Sequence, residues 1–496
     1  MSDKAPSITR RQFMRQAACA AVGTAGLTCA IRDLRFMNAA VAQTGINDYK
    51  ALVCIFLGGG NDSNNLIIPT IQSEWNNYAA IRTAALAIPL SGAPFNIIPI
   101  FPLSSDNHDY GLHPACPELA TLFGEGKLAF LFNAGTLVFP MTRAQYQSGV
   151  LQKPPQLFSH ADQVTQWQTS VPNQPPLTGW GGRTADLLAA VQPNAPISLT
   201  VTLAGANTFE VGTHVSEYSV GTSGAIALSG LSPGTARYTA LTNLLALSYP
   251  NLQAQTYANV AAHSINTSSV LNNAIGNTSA ANYWTVPFPS GTITSPTGGS
   301  GLGTSLGPQL KMIARLIEAG NRSVANGGFG MKRQIFFCSV GGYDLHTGQT
   351  AGQTTANTTP TNVVQGPHAN LFAELSQCIL AFQRAMEQLG LSNNVTAFTA
   401  SDFGRTFPSN SQGSDHGWGS HHIIVGGAVN GRRTYGTFPV LTVGGPNDTS
   451  TGRWIPTTAI DQYFATLATW FGVDNTNLST VFPNLGNFAT PNLGFV

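Results

Sequence analysis

The run Ala51-Leu52-Val53-Cys54-Ile55-Phe56-Leu57, apolar at every position and stopped by three glycines, constrains the fold of this chain more than any other feature. A strand with one wet face alternates apolar and polar residues. An unbroken run of this kind instead belongs to a strand covered on both faces, as in a parallel sheet between helices. The pattern recurs at 128–132, 334–340 and 395–399, each time ending in small or polar residues. Segments of helical period lie between, at 117–123, 309–318 and 369–389, the last closed by Gly390. Buried strands alternating with helices predict a three-layer α/β fold with a mostly parallel sheet.

At 496 residues the chain is long enough for one large domain with insertions, or for two or three small ones. We read residues 43–496 as a single domain. The stretch 264–307 is dense in Ser, Thr, Asn and Gly and reads as long surface loops, and 191–307 reads as an insertion or cap between the two halves of the sheet. Only 9% of residues are charged, against about 25% in an ordinary soluble protein. That scarcity excludes an electrostatic nucleic-acid binder. With 43% apolar residues the chain is also no charged, disordered polymer.

The N-terminus predicts export. Thr9-Arg10-Arg11-Gln12-Phe13-Met14 is a paired-arginine motif, followed by a weakly apolar run from Ala17 to Ala30 and by Ala40-Val41-Ala42 before Gln43. A charged region, an apolar region and a small-residue cleavage site in that order form a twin-arginine signal peptide over 1–42. The expected partner is the twin-arginine translocase and the expected location periplasmic or secreted. This route carries folded proteins and mildly favours one with a metal already loaded. The leader removes six of the 23 basic and two of the 22 acidic residues, leaving 17 basic against 20 acidic. Cys54, Cys116, Cys338 and Cys378 remain, with no metal-ligand spacing among them; one disulfide stays open, but four cysteines make no disulfide scaffold. No apolar run after Gln43 approaches the ~20 residues needed to span a membrane.

Ligands of open parallel sheets bind beyond the carboxyl ends of the strands. After the first run comes Asp62, and after the third Gly341-Gly342-Tyr343-Asp344-Leu345-His346. After the fourth comes Asp402-Phe403-Gly404-Arg405, followed by Asp415-His416 and by His421-His422. One aspartate after a strand is ordinary, because Asp favours turns and helix N-caps. Several of them with histidines alongside point to divalent cations: carboxylates neutralise charge, and imidazoles select borderline metals. Two ions can clamp the oxygens of a phosphoryl or sulfuryl transfer. Asp62, Asp344, His346, Asp402, Asp415, His416, His421 and His422 are therefore candidate ligands for one or two divalent ions, Zn, Mn, Fe or Ca. His421 and His422 precede an apolar run, so their side chains point to opposite faces and one of the two is expected at the site.

The candidate nucleophile is Ser159, in Gln156-Leu157-Phe158-Ser159-His160-Ala161-Asp162, where a helix starts. A helix N-terminus favours anions, and a metal would activate the hydroxyl; a plain N-cap is the other reading. His160 and Asp162 would assist, and Arg405 would hold an anionic oxygen in its fork. The Gly-x-Ser-x-Gly matches around Ser232 and Ser305 follow no buried strand and are set aside. Glycines 58–60 lack a Walker lysine and dinucleotide spacing.

These blocks, with Gly179-Trp180-Gly181-Gly182-Arg183, resemble in order a bacterial family catalogued as domain of unknown function 1501, over about residues 50 to 440. The family is grouped with the alkaline phosphatase and sulfatase superfamily. The resemblance implies an alkaline-phosphatase-like fold with metals at the strand ends, Asp62, Asp344, His346, Asp402 and His416 as ligands, and Ser159 in the nucleophile's position. Two departures stand out. The Asp-His pair of many superfamily members is here Asp402-Phe403, so an imidazole must come from His416, His421 or His422. The sulfatase signature is absent, so formylglycine chemistry is not implied. The expected function is an exported metal-dependent hydrolase of phosphate or sulfate esters, acting on a small molecule or polymer. A non-catalytic, metal-containing surface or secretion-associated binding protein is the alternative, as is a metal-free esterase built on Ser159 and His160.

Overall fold

The computed structural model describes residues 46–496 apart from 105, 175–177, 227–229, 231, 233, 277–283, 352–358 and 360. The expected signal peptide lies outside the described residues. The main sheet has ten strands: β1 (Lys50–Leu57), β2 (Leu128–Gly135), β3 (Thr200–Thr202), β4 (Tyr218–Gly221), β5 (Gly224–Ala225), β6 (Arg333–Val340), β7 (Val395–Ser401), β8 (Ser420–Gly426), β9 (Arg433–Tyr435) and β10 (Thr458–Ala459). Their order is β9-β2-β8-β7-β1-β6-β3-β4-β5, with β10 beside β2. Only β8 and β5 run against the rest. The sheet is flanked by helices, which gives the mostly parallel α/β arrangement that the apolar runs predict.

Each long run folds as a strand because both of its faces are covered. Leu52, Val53 and Ile55 of β1 and Phe130 and Leu131 of β2 are wholly buried, and each such side chain contributes about 1.5–3 kcal/mol by leaving water. The flanking helices are α1 (Pro117–Gly124), α2 (His160–Thr169), α3 (Trp180–Leu188), α4 (Leu306–Asn321), α5 (Pro367–Gln388) and α6 (Ile460–Phe471). Proline opens α1 and α5, in the first turn, where a missing N–H leaves no bond unmade. Trp180 of α3 stacks on Phe464 of α6 at 4.5 Å, and both rings meet Phe398 of β7. Helix α5 packs against α1 and α4.

Two expectations change. The segment 191–307 supplies β3, β4 and β5 to one edge of the sheet, together with a helix over Leu252–Gly276. Residues 264–276, expected as loop, are therefore helical. Leu271, Ala274 and Ile275 form a buried stripe at helical spacing, concealed in the sequence by the Ser, Thr and Asn around it. The four cysteines are buried and unbridged. Among the described residues no helix is long and apolar enough to cross a membrane.

Candidate metal centre

Strands β7, β1 and β6 are parallel neighbours that end level, Leu57 pairing with Ser401 on one side and Val340 on the other. The loops that leave them therefore stand side by side. Gly59 and Gly60 adopt φ of 114° and 83°. A Cβ would lie 2.4 Å from the Asp344 amide nitrogen at Gly59, and 2.5 Å from the Phe403 ring at Gly60. Only glycine permits both the conformation and the approach. Strand β8 runs the other way, so the chain entering it, not leaving it, reaches this rim. That entering segment is pinned on the loop after β7: Gly404 N–H donates to Trp418 O (2.9 Å), Gly417 N–H to Gly404 O (2.7 Å) and Thr406 N–H to Asp415 O (2.9 Å). His416 is held there, facing His160 at the start of α2.

The side chains so assembled converge on one carboxylate. Asp344 Oδ1 lies 3.2 Å from His346 Nε2 and 3.4 Å from His416 Nε2, and its Oδ2 lies 3.5 Å from His160 Nε2. His160, Asp344 and His416 offer donor atoms all within 4.8 Å of one another. The far side of each imidazole is held by an acceptor: His160 Nδ1 by Asp402 Oδ2 at 2.6 Å, His346 Nδ1 by Asp415 Oδ1 at 2.9 Å, and His416 Nδ1 by Phe158 O at 2.8 Å. Carboxylates and carbonyls only accept, so each Nδ1 carries a hydrogen and each Nε2 is the ring atom turned to the centre. His346 Nε2 and His416 Nε2 face each other across 2.8 Å, close enough to share one proton. His160 Nε2 is shielded from solvent and has no hydrogen-bond partner among the described residues. Imidazoles gripped at one nitrogen by a carboxylate or carbonyl, with the other nitrogens converging, are the form of a metal site.

The charges fit a cation. Partial burial disfavours an ionised Asp344, but the Arg405 hydrogen bond and charge, with His160 and His346 beside it, outweigh this and hold its carboxyl below the usual range. Burial lowers the His416 pKa, and the nearby Arg405 adds to that. Three carboxylates, Asp344, Asp402 and Asp415, stand around the guanidinium of Arg405 and the imidazoles. The centre is open, the Asp344 side chain being 48% exposed.

The structure brings together Asp344, His346, His416 and His160, the last a residue expected to assist catalysis. Asp402 and Asp415 stand one step back and hold imidazoles. Three expected ligands are elsewhere. Asp62 turns inward to a buried ion pair with Arg82, and also accepts from Gln349 Nε2 at 2.6 Å and Asn64 Nδ2 at 3.2 Å. His421 and His422 do point to opposite faces, but β8 lies between β2 and β7 and both faces are core. The His421 ring stacks on Phe438 at 5.2 Å, and its Nδ1 accepts from the Asn133 N–H at 3.0 Å. The His422 ring packs 4.7 Å from Trp167. Burial pushes both pKa values down to about 3.

Of the other expected catalytic residues, Ser159 is the N-terminal cap residue of α2, and its hydroxyl donates to Asp162 Oδ2 at 2.6 Å. Arg405 does not present its fork to solvent. It is wholly buried and donates to Asp344 Oδ1 (2.6 Å), Tyr343 O (3.1 Å) and Gly60 O (3.0 Å), with its Nη1 3.4 Å from His346 Nε2. Sequence reasoning missed the carbonyl of Phe158, which carries no sequence signal although its residue adopts an uncommon φ of 74°. It also missed Arg82 and Arg453. A signal existed for both: where charge is this scarce, each arginine outside the leader merits a partner.

Fold and cluster together define a layered α/β protein with a carboxylate and three histidines gathered at the carboxyl ends of its strands. The chain belongs to the family described as protein of unknown function DUF1501, whose model matches residues 49–480. No curated protein matches it. Among solved structures it is similar to Ps i-CgsB in complex with k-i-k-neocarrahexaose, at 9% identity and a TM-score of 0.32 over 90% of this chain and 78% of that one. It is also similar to the PsFucS1 sulfatase from Pseudoalteromonas sp., at 11% identity and a TM-score of 0.30 over 89% and 72%. A third is BT33494S-sulf of Bacteroides thetaiotaomicron, at 11% and 0.31 over 87% and 74%. Likeness at this level defines neither activity nor substrate.

Proposed function

We propose that the protein is a metal-dependent hydrolase of phosphate or sulfate esters that holds one divalent cation between Asp344, His160, His346 and His416. The observation that carries this reading is the convergence of three Nε2 atoms on one carboxylate, each imidazole being gripped from behind at Nδ1. Three imidazoles with one carboxylate favour Zn, Mn or Fe over Ca. One ion rather than two is supported because Asp62 is committed to Arg82 and Gln349, and Asp402 and Asp415 to imidazoles. When bound, such an ion polarises an ester oxygen and offsets developing charge.

The chain's own contribution begins at Ser159. Its hydroxyl hydrogen is directed at Asp162 Oδ2, so attack by Oγ on the phosphorus or sulfur centre passes that proton to the carboxylate. The ester oxygen leaves as the alcohol, the proton from Asp162 reaching it through solvent, and water then hydrolyses the Ser159 ester, one of its protons restoring the hydroxyl. Asp402, Asp415 and the Phe158 carbonyl keep the imidazoles in one tautomer throughout, and Arg405 fixes the Asp344 carboxylate. A metal-free Ser-His pair has less support, since His160 Nε2 faces Asp344 and Ser159 faces Asp162. In the same reading the protein is exported by the twin-arginine translocase to the periplasm or beyond, with cleavage near Ala42.

The test is hydrolysis of p-nitrophenyl phosphate and p-nitrophenyl sulfate by wild type, by chelated protein and by Ser159→Ala. The reading expects turnover that chelation abolishes and metal restores, and a Ser159→Ala variant that keeps its metal and loses turnover. Turnover that survives exhaustive chelation sinks the metal mechanism; full activity in Ser159→Ala removes the serine from it. A metal-loaded protein inert towards a broad ester panel favours the non-catalytic binding protein.

A further inference from the structure

We propose that Arg453 is the residue by which the site recognises an oxyanion on its substrate, a sulfate, phosphate or carboxylate group lying beside the reacting bond. The proposal rests on the preceding reading of the centre, and it begins from a gap in it. An anionic group beside the one that faces the metal needs a cation of its own, and Arg405 is not one: its side chain is sealed from solvent and its nitrogens face Asp344, His346, Tyr343 O and Gly60 O.

Arg453 stands on the same residues that build the centre. Its Nε donates to the carbonyl of His416 at 2.8 Å. Its guanidinium carbon lies 4.2 Å over the ring of Phe158, the residue whose carbonyl holds His416 Nδ1. One face of the guanidinium is thus covered by an aromatic ring and one edge is tied to backbone. Nη1 and Nη2 have no hydrogen-bond or ion-pair partner among the described residues, and the side chain is only half-buried. Stacking on an aromatic ring fixes the plane of an arginine without using its terminal N–H groups. Those groups form the fork that grips carboxylate, phosphate or sulfate in parallel hydrogen bonds. Because the side chain is already oriented, little freedom is lost when an anion binds.

The surroundings have the matching sign. A second cation, Lys153, has its Nζ 4.4 Å over the Tyr146 ring. The carboxylate of the adjoining loop, Asp448, is wholly buried and accepts from the backbone amides of Gly444, Ser450 and Gly452. It does not occupy the fork. Asp415 is engaged with His346 and Asn410.

The experiment is calorimetric titration of inorganic sulfate and of inorganic phosphate into the purified protein, with Arg453→Gln and Arg453→Lys in parallel and the metal content of each preparation measured. Wild type should bind at least one of the two anions. Arg453→Gln should bind it about 10- to 100-fold more weakly, the loss of charge-assisted bonds, with unchanged metal content. Arg453→Lys, which keeps the charge but lacks the fork, should fall between, and it carries the test should the glutamine variant fail to fold. Equal affinity in wild type and the folded variants overturns the proposal, as does a wild type that binds neither anion. Loss of anion binding on Arg453→Gln in protein that holds no metal would uphold the role of Arg453 while contradicting the metal-dependent hydrolase.

Discussion

Asp344 and Asp62 both follow a glycine-rich turn after a central strand, and both touch a wholly buried arginine, yet they serve opposite ends. Asp344 pairs with Arg405 through one oxygen, stays half exposed, and has the Nε2 atoms of three imidazoles turned to it. Asp62 gives both oxygens to protein donors and is sealed in with Arg82. Burial alone would raise the Asp62 pKa, but Arg82, then His368 and Gln349, bring it below the usual range. The histidine of this second group, His368, is pushed down to about 4 by burial. Residue type is the same at the two places. What separates an open centre from a structural pair is which lone pairs the protein leaves uncommitted.

The largest effect expected from this contrast is on stability at the sealed pair. Asp62→Ala leaves the Arg82 charge buried without its partner, a loss of about 3–5 kcal/mol, while metal content per folded molecule stays the same. Urea unfolding with elemental analysis measures both. A variant that loses its metal and keeps its stability would reverse the roles assigned here.

Asp415→Asn probes the open side. The Asp415 side chain is 49% exposed, so its ion pair contributes less than about 1 kcal/mol to stability. As the holder of His346, however, it should matter to the metal, and its replacement should weaken metal affinity about 10- to 100-fold. Competition with a chromogenic chelator reads this out. An unchanged affinity would mean that His346 is not a ligand.

At neutral pH the smallest effect concerns the histidines that the sequence placed at the site and the structure places in the core. His422 is held uncharged when folded, with its pKa lowered from 6.5 to about 3. Below pH 6.5 the unfolded chain takes up a proton that the folded chain refuses. The stability linked to this group is therefore complete above pH 6.5 and declines as pH falls towards 3, by at most about 1.4 kcal/mol per pH unit. His422→Phe should flatten the acid limb of the stability curve and leave metal content untouched. An acid limb as steep as that of wild type would contradict the burial argument.

The strands and the rim were legible in the sequence because unbroken apolar runs have one physical explanation and because aspartates after parallel strands share a rim. Asp344, His346 and His416 followed directly. The fate of Asp62 was hidden, since its partner Arg82 sits on a helix, Gln72–Leu86, with no motif around it. His421 and His422 misled because alternation says that they point apart but not that β8 is core on both faces. The helical stripe Leu271-Ala274-Ile275 was lost among hydroxyl and amide residues. The Phe158 carbonyl is backbone, which no reading of side chains can find.

The most direct test of the central claim is the divalent metal content of the folded protein, in wild type, Asp344→Ala, His416→Ala and His422→Phe. We expect one equivalent of Zn, Mn or Fe in wild type and in His422→Phe, and none in the other two, with all four folded by circular dichroism. No metal in any wild-type preparation, or metal kept by both Asp344→Ala and His416→Ala, would contradict the account.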